Sequence, residues 1–422
     1  MSGEAMPDPS AEPASAMERN LVLYGRHQVA ARLLFAFPTA MLFLLERVEL
    51  DVALRLTAVY FAAVVALEVP SGWASDRFGR VPTLRIGATA WVASNVVFLA
   101  AGSSVAALAA AQILVALGWA CLSGTDSSFH FDTLEALGRS DEFERREATA
   151  SRNAFLATMA AALIGGALGL VDLRLPYVAL LCAALMQWAI AWSMTEPAAA
   201  APVSLAGEHL ADSAGSEAAP RESAVAEFAS TVRQLRRPEL AWVFVFMTVQ
   251  QPLEGLAFDL MPPWITELTD RPLDDAGSAP LLVGLLVAVI SLVGAATAAR
   301  AAQLRARLGT RGALTLLAAI ETCIVVGMAL VVSPWLLPLI ALRSTQAAAG
   351  PVIVAAASAP LLERHQRATY LSLGSFSGRL AVAASLVVIS AAESFDDVLA
   401  VAAWISLGCL AMLIIATPLL RR

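Results

Sequence analysis

Long apolar runs alternate with short polar segments along almost the whole chain, and twelve such runs lie between residues 28 and 419. Each run is close to ~20 residues long, the length that a helix needs to cross the hydrocarbon core of a bilayer. The predicted spans are approximately 28–46, 54–72, 83–102, 104–125, 148–170, 176–194, 240–260, 280–300, 312–333, 335–358, 369–391 and 397–419. The pattern therefore predicts an all-α integral membrane protein with twelve transmembrane helices.

A polar stretch over residues 195–239 separates the predicted spans into two sets of six. It begins with Ala, Pro, Ser, Gly and Glu and contains no apolar run of spanning length. We therefore expect one six-helix bundle over 28–194, a second over 240–422, and a linker over 195–239. Residues 1–27 lack the basic start and apolar centre of a signal peptide, so they are predicted to form a disordered tail.

The end of the linker has helical periodicity, because Val225, Phe228, Val232 and Leu235 recur on one face. Three arginines lie close to this apolar face. A short interfacial helix would bury the apolar face among lipid headgroups and place the arginines on anionic lipid. A solvated linker without a helix is the alternative.

Composition narrows the class of protein. With 58% hydrophobic residues and a mean hydropathy of +0.70, the chain is too apolar for a soluble multidomain protein. A net charge of −7 and the lack of a basic block argue against binding to nucleic acid. The four cysteines all fall in apolar runs, and their spacing predicts neither a metal site nor a disulfide framework.

No sequence pattern for a cofactor or for catalysis is present. The chain has no Gly-x-x-x-x-Gly-Lys-Ser/Thr loop for nucleotide phosphates and contains no lysine. Neither a Ser-His-Asp arrangement nor a metal-ligand spacing stands out. We therefore expect no cofactor, no ATP-driven pumping and no enzymatic activity.

Arginines indicate the orientation of the chain. Of the 28 basic residues, all arginines, 21 fall in the tail, in the linker and in loops on the same side of the predicted bundle. The opposite loops hold four, which are Arg47, Arg55, Arg174 and Arg271. Because basic residues concentrate on the cytoplasmic side, both termini are predicted to be cytoplasmic, in a protein of the cytoplasmic (inner) membrane.

The loop between the second and third predicted spans carries a recognisable motif. It reads Gly-x-x-x-Asp-Arg-x-Gly-Arg, formed by Gly72, Asp76, Arg77, Gly79 and Arg80. This motif resembles the signature of the major facilitator superfamily of transporters at the same place. The resemblance implies two pseudo-symmetric six-helix bundles and secondary transport by alternating access, in a protein that is usually monomeric.

Further stretches are similar to the same superfamily. The corresponding loop of the second half keeps Arg307 and Gly309 but has no acid, as expected of a duplicated transporter. The turn at 123–126 and the Asp-x-Leu segment at Asp132 resemble a bacterial drug-exporter-like branch. Many drug–proton antiporters carry an arginine in the fourth span where this chain has Leu114, so proton antiport of the usual type stays open.

The resemblance implies a role for the motif as a cytoplasmic latch. Gly72 and Gly79 would permit close helix approach and a tight turn. Asp76 would dock near Ala368 and Thr369, at the start of the eleventh span, when the cytoplasmic side is closed. The two arginines of the motif would anchor the turn to carboxylates and lipid headgroups. A plain polar turn is the alternative.

Polar residues near the motif form a second group of candidate functional residues. Glu68, Asp126, Asp132 and Arg152 lie near the cytoplasmic ends of predicted spans and are expected to form a gating network with the motif. His130 lies four residues after Asp126, but two potential ligands are too few to predict a metal site.

Charges within the predicted spans are costly and therefore need a partner or a task. Arg32 and Glu68 lie at similar predicted depth, which favours a structural ion pair between them, with a proton relay as the alternative. Glu321 and Arg379 also lie near the middle of the membrane, where we expect them to pair with each other or with backbone.

The candidate substrate or proton site combines residues of the first, seventh and tenth spans. Its members are Arg32, Gln250, Gln251, Glu254, Arg343 and Gln346. Glu254 and Arg343 lie at similar predicted depth on helices that line the cavity in this superfamily. Glu254 either takes a proton when Arg343 moves away, or the pair only ties two helices together.

The sequence thus favours a secondary transporter that exports an amphipathic small organic molecule coupled to protons. Aromatic residues on the cavity helices suit such a solute better than a sugar. Uptake of a metabolite by proton- or cation-coupled symport is one alternative. A membrane sensor that has a transporter fold but does not transport is another. The expected partners are the small-molecule substrate, protons and the lipid bilayer.

Overall fold

The computed structural model describes residues 11–197, 230, 232–269, 271–272, 275–362 and 364–419, and these residues contain no β-strand. The helices of the first half are α1 Ala11–Ala31, α2 Ala40–Leu45, α3 Leu50–Phe78, α4 Arg80–Ala100, α5 Val105–Leu122, α6 Thr125–Ala136, α7 Phe143–Gly169 and α8 Arg174–Ser193. Those described in the second half are α9 Pro238–Leu268, α10 Ala279–Ala298, α11 Ala301–Leu330, α12 Leu337–Ile340, α13 Ser344–Ser358, α14 Arg364–Ile389 and α15 Phe395–Leu419.

Each of the twelve predicted spans coincides with a helix or with a broken pair of helices. Among the described residues, nine helical segments are long and apolar enough to cross a membrane. The spans outside this group are α1, α7 and α9, whose polar side chains lower their hydropathy. The prediction of an all-α integral membrane protein is therefore confirmed.

The first span begins much earlier than the sequence suggested. Helix α1 starts at Ala11, so the prediction of a disordered tail is wrong for residues 11–27. Tyr24, His27 and Gln28 are buried because one face of α1 packs against α6, α7 and α8. Because this packed face carries polar residues, the hydropathy pattern of the segment is the same as that of a solvated tail.

The predicted interfacial helix at the end of the linker lies largely outside the described residues. Within them, residues 232–234 are helical and 235–237 form a turn that leads into α9. The interfacial role of this segment stays a prediction.

Two spans are interrupted, and each interruption contains an arginine. The first span leaves helical geometry after Ala31, at Arg32, and resumes with a 3-10 turn at Phe37. The tenth span breaks between α12 and α13, at 341–343, where Arg343 lies. Irregular backbone at membrane depth is tolerated where it is buried in protein or lines a cavity, so these breaks indicate the position of a cavity.

The apolar core shows how the two halves meet. We call the end where α3 begins the distal end, and the end where α3 finishes the termini end. At the distal end one cluster joins both halves, with Phe43 and Phe98 from the first and Trp264 and Phe395 from the second. At the termini end the core divides into two clusters, each built from one half alone. The molecule is therefore closed at the distal end and divided at the termini end.

Small residues allow the distal contact between α7 and α10. A Cβ atom added at Gly166 would lie 2.6 Å from the carbonyl oxygen of Pro280 and 3.0 Å from the Cα of Gly284. Within the first half, one added at Gly165 would lie 1.9 Å from the carbonyl oxygen of Phe35. Backbone from the two halves therefore approaches closely here, as small residues in membrane helices permit.

The two halves repeat one turn in detail. Gly79 adopts φ 105° and ψ 162°, and Gly309 in the corresponding loop adopts φ 70° and ψ 170°. In the first half Arg80 Nη1 donates to the Ser75 hydroxyl at 3.0 Å, across five positions. In the second half Arg305 Nε donates to the Thr310 hydroxyl at 3.0 Å, with donor and acceptor exchanged.

Candidate functional site

A cavity of about 460 Å³ lies between the two halves. Its walls come from the first, second, third, fourth, sixth, seventh and tenth spans. Aromatic side chains make up much of the lining, and they include Phe37, Phe61, Trp91, Trp119 and Phe258. A few polar side chains face the same space, which is typical of a site for a small organic molecule.

The charged residues of this cavity are Glu254 and Asp259 of α9 and Arg343 of the tenth span. Arg343 is 7% exposed, and its Cζ lies 4.8 Å from the ring centroid of Phe258. Arg343 interacts electrostatically with both acids and with Glu321. No described acid approaches its guanidinium within 4.0 Å, so one cation is shared among three carboxyl groups.

Buried polar atoms without hydrogen-bond partners collect around this arginine. Among the described residues they include Arg343 Nε, Asp259 Oδ2, Thr345 Oγ1 and both side-chain oxygens of Glu321. Glu321 is fully buried. Since a buried charge without a partner is costly, these groups favour a site where protons, water or a ligand complete the interactions.

The structure brings some members of the predicted substrate site together, and their role stays a prediction. Gln251, Glu254 and Arg343 line the cavity together. Gln346 is buried and donates from Nε2 to the backbone oxygen of Gln250 at 3.0 Å. Those two glutamines therefore tie α13 to α9 rather than line the cavity.

Arg32 lies in a second cavity of about 320 Å³, adjacent to the first. Tyr60, Phe61 and Trp119 line both cavities. The guanidinium of Arg32 lies over the Trp119 ring, 5.3 Å from its centroid. Arg379 and Asp126 also line this second cavity, so it is bordered by two arginines and one acid, whereas the first is bordered by two acids and one arginine.

The predicted ion pair between Arg32 and Glu68 is wrong. Glu68 instead pairs with Arg379 of α14 and accepts a hydrogen bond from the Ser123 hydroxyl at 3.3 Å. Similar depth does not specify which face of a helix a residue occupies, and Glu68 faces the other half. The suggested pairing of Arg379 with Glu321 is wrong for the same reason.

The predicted members of the gating network contact different partners and do not form one network. Asp126 accepts from Gln28 Nε2 at 2.7 Å, and that amide also donates to the Tyr24 hydroxyl at 2.9 Å. Tyr24 in turn donates to Glu147 at 2.8 Å, and His130 Nδ1 lies 2.8 Å from the same carboxylate. This chain links α1, α6 and α7 within the first half.

The other predicted members lie elsewhere. Asp132 pairs at 3.3 Å with Arg80, a residue of the motif. Arg152 is exposed, and among the described residues its side chain contacts the neighbouring Asn153 at 3.4 Å. Among the described residues, Arg152 therefore has no contact with the other predicted members of the network.

The motif turn is held by a residue that the sequence did not point to. The carboxylate of Glu196, just after α8, accepts hydrogen bonds from the backbone amides of Arg80 and Val81, each at 2.7 Å. The positive φ of Gly79 favours glycine, and a Cβ added there would lie 2.8 Å from this carboxylate, which would have to shift. At Gly72 an added Cβ would meet nothing within 4 Å, so the predicted close approach is wrong there.

Among the described residues, no contact joins Asp76 to the eleventh span in this conformation. Its carboxylate pairs with Arg80 at 2.5 Å and its side chain is 71% exposed. Arg77 is exposed as well. The latch stays a prediction about the conformation in which the termini end is closed.

The loop between α6 and α7 is tied to the first helix by charge. Arg139 pairs with Glu142 at 2.8 Å and with Glu18 of α1 at 2.7 Å. Hydrogen bonds from Arg139 and Arg146 lower the pKa of Glu142 to about 2. This carboxylate is therefore ionised at neutral pH and helps to hold the loop at the termini end.

Within the described part of the chain, no three His, Cys, Asp or Glu side chains lie close enough together to hold a metal ion.

The family model described as Major Facilitator Superfamily matches residues 33–386. By sequence alone the chain matches none of the curated proteins.

Solved structures of transporters resemble this fold. A nucleoside transporter, NupG, superposes with a TM-score of 0.70 at 11% identity, covering 95% of this chain and 98% of that one. A peptide transporter, POT, in complex with sulfate gives 0.67 at 15% identity, covering 95% and 94%. A D-xylose-proton symporter gives 0.60 at 10% identity, covering 93% and 97%. The match over most of the sequence places this chain among transporters, and it belongs to the Major Facilitator Superfamily.

Proposed function

We propose that the protein is a secondary active transporter that exports an amphipathic small organic molecule in exchange for protons. The central cavity supports this proposal most directly. It lies between two halves whose apolar cores join at the distal end, and its walls combine aromatic rings with two acids and one arginine. A solute with an apolar body and a polar or cationic group matches this lining.

Glu254 is the proposed proton carrier. It lies on the same helix as Asp259 and shares Arg343 as its nearby cation. When Arg343 moves away, a carboxylate left in an apolar cavity favours the protonated form. Movement of the arginine during the transport cycle would thus exchange a proton for cargo.

The orientation of the cycle rests on the arginine distribution. If the termini are cytoplasmic, the divided end of the molecule faces the cytoplasm, and the cavity opens inward in this conformation. An exposed Asp76 fits this state, because the proposed latch would engage only when the cytoplasmic side closes. A monomer in the cytoplasmic membrane is sufficient for this cycle.

Uptake by symport is the second candidate, since one of the similar structures is a D-xylose-proton symporter. In that case cargo and protons would move in the same direction through the same cavity. A sensor without transport is the third, and it would bind the ligand without flux.

Flux measurements in proteoliposomes separate these three functions. A thermal-shift screen of amphipathic amines, acids and neutral solutes on the purified protein selects the ligand. Its flux is then followed with a pH gradient imposed in either direction. Export by antiport requires that cargo move against the proton flow, symport requires movement with it, and a sensor gives no flux.

A further inference from the structure

The central cavity and the second cavity share a wall but differ in charge. The shared wall consists of Tyr60, Phe61 and Trp119. Among the described lining residues, the central cavity has two acids and one arginine, and the second cavity has two arginines and one acid. The proposed proton carrier, Glu254, accounts for one of these charges. The others bear on the chemistry of the cargo.

Asp259 presents a hydrogen-bond acceptor to the central cavity. It is 8% exposed, and its Oδ2 has no hydrogen-bond partner among the described residues. Arg343 interacts with it electrostatically, but this one guanidinium also interacts with Glu254 and Glu321. Because the described acids here outnumber the cation, and a buried carboxylate needs a partner, the site favours a cationic group of the cargo.

Arg32 presents hydrogen-bond donors to the second cavity. The described residues place no carboxylate within 4.0 Å of its guanidinium, which lies over the Trp119 ring, 5.3 Å from the centroid. Asp126 interacts with Arg32 electrostatically, but its two oxygens accept from Gln28 Nε2 and from the Ser127 amide, each at 2.7 Å. A guanidinium in this position favours a carboxylate, which it binds with two parallel hydrogen bonds.

Tyr60 lies between the two charged ends. It interacts electrostatically with Asp259 of the central cavity and with Arg379 of the second. Arg379 is already paired with Glu68, so Arg32 is the arginine of this cavity that favours a ligand. One molecule with an apolar body along the shared wall would therefore reach Asp259 with one end and Arg32 with the other.

We propose that the cargo is a zwitterionic amphiphile, with an amine that binds Asp259 and a carboxylate that binds Arg32. This inference rests on the proposed function, because it names the substrate class of the same cavity. The amine would lie toward the distal end and the carboxylate toward the termini end. Each end would form a charge-assisted hydrogen bond in surroundings of low dielectric constant, where such bonds are strong.

Binding of matched probes to the purified full-length protein tests this assignment. The zwitterionic probes are para-(aminomethyl)phenyl alkanoic acids of increasing chain length. Their primary amides lack the anion, and the corresponding para-methylphenyl alkanoic acids lack the cation. Calorimetry at neutral pH gives each affinity without flux or a pH gradient. We expect the zwitterions to bind about tenfold more tightly than either single-charge series, with an optimum chain length set by the two fixed charges.

Two variants should each remove one part of this preference. Arg32→Gln should weaken binding of the zwitterions about tenfold and leave the amides unchanged. Asp259→Asn should weaken the zwitterions by a similar factor and leave the acids that lack the amine unchanged. Arg26→Gln and Glu267→Gln are the matched controls, since Arg26 is exposed on α1, Glu267 lies at the end of α9, and neither lines these cavities.

Three results would overturn the proposal. The first is a wild type that binds the zwitterions no more tightly than the single-charge probes. The second is equal weakening of all three probe series by Arg32→Gln, which would indicate a structural role. The third is undiminished binding of the zwitterions by Asp259→Asn.

The cargo assignment and the proposed function fail separately in these measurements. Tighter binding of the amides than of the zwitterions would contradict a zwitterionic cargo, even if the amides were then exported against the proton flow. Zwitterion binding with the expected response of both variants, but without flux in proteoliposomes, would support the cargo assignment and contradict export.

Discussion

The guanidinium of Arg379 in α14 pairs with the carboxylate of Glu68 in α3, and so joins the two halves across the central opening. Both side chains are partly exposed, at 25% and 29%. Glu68 also accepts from Ser123, which links the pair to the end of α5. Because Arg379 lines the second cavity, the ion pair lies beside the path from the termini end to the central cavity.

Removal of either charge should loosen this contact between the halves. We expect Glu68→Gln and Arg379→Gln each to cost on the order of 1–2 kcal/mol, between the values for exposed and buried pairs. The double variant should cost less than the sum of the two single variants. Thermal unfolding in detergent measures all three, and strictly additive costs would show that the pair does not couple the halves.

The motif glycines should respond very differently to alanine. Gly79→Ala should destabilise the protein by about 1–3 kcal/mol, because φ is 105° and the new Cβ would meet Glu196. Gly72→Ala, within α3 and with open space around it, should be neutral or stabilise by up to about 1 kcal/mol. Unfolding midpoints test this contrast, and similar losses in both variants would contradict the described turn.

Loss of charge at Asp76 should affect transport more than stability. Asp76 is exposed here, so Asp76→Asn should change stability by less than about 0.5 kcal/mol. Substrate flux should nevertheless fall, because the proposed latch would lose its acid. Asp51→Asn is the matched control, since Asp51 also pairs with an arginine four residues later but lies at the distal end of α3, so its flux should stay at the wild-type value. Wild-type flux in Asp76→Asn would contradict the proposed role of Asp76 as a latch.

Arg343 and Glu321 should be coupled in stability. Arg343→Gln leaves the neighbouring acids without their shared cation, and we expect a cost of about 1–3 kcal/mol. In a Glu321→Gln background that cost should be smaller, because one acid has already been neutralised. Glu267→Gln serves as the control background, since Glu267 lies at the end of α9 and does not line the cavity. Equal costs in both backgrounds would contradict the interaction.

Much of the fold follows from the sequence, because apolar runs of membrane length are a local signal. All twelve predicted spans coincide with helical structure, and the repeat of the motif at Gly309 appears in the backbone angles. The start of α1 was missed since its packed face is polar, with His27 and Gln28 buried. A hydropathy pattern cannot distinguish such a face from a solvated one.

The candidate site was only partly predictable, for a different reason. Glu254 and Arg343 stand out as charges within apolar runs, and the structure brings both to one cavity. Asp259 carries the same signal but was overlooked. The pairing of Glu68 with Arg379 depends on how two halves meet across more than 300 residues of sequence, and neither spacing nor depth contains that information.

Proton movement tests the central proposal most directly. Proteoliposomes that contain a pH-sensitive dye would receive the solute that the thermal-shift screen selects, with no initial pH gradient. We expect solute flux through the wild type to move protons in the opposite direction. Glu254→Gln should abolish this proton movement, while the matched variant Glu267→Gln should retain it. Wild-type solute flux without proton movement, or undiminished proton movement in Glu254→Gln, would contradict proton-coupled export through this cavity.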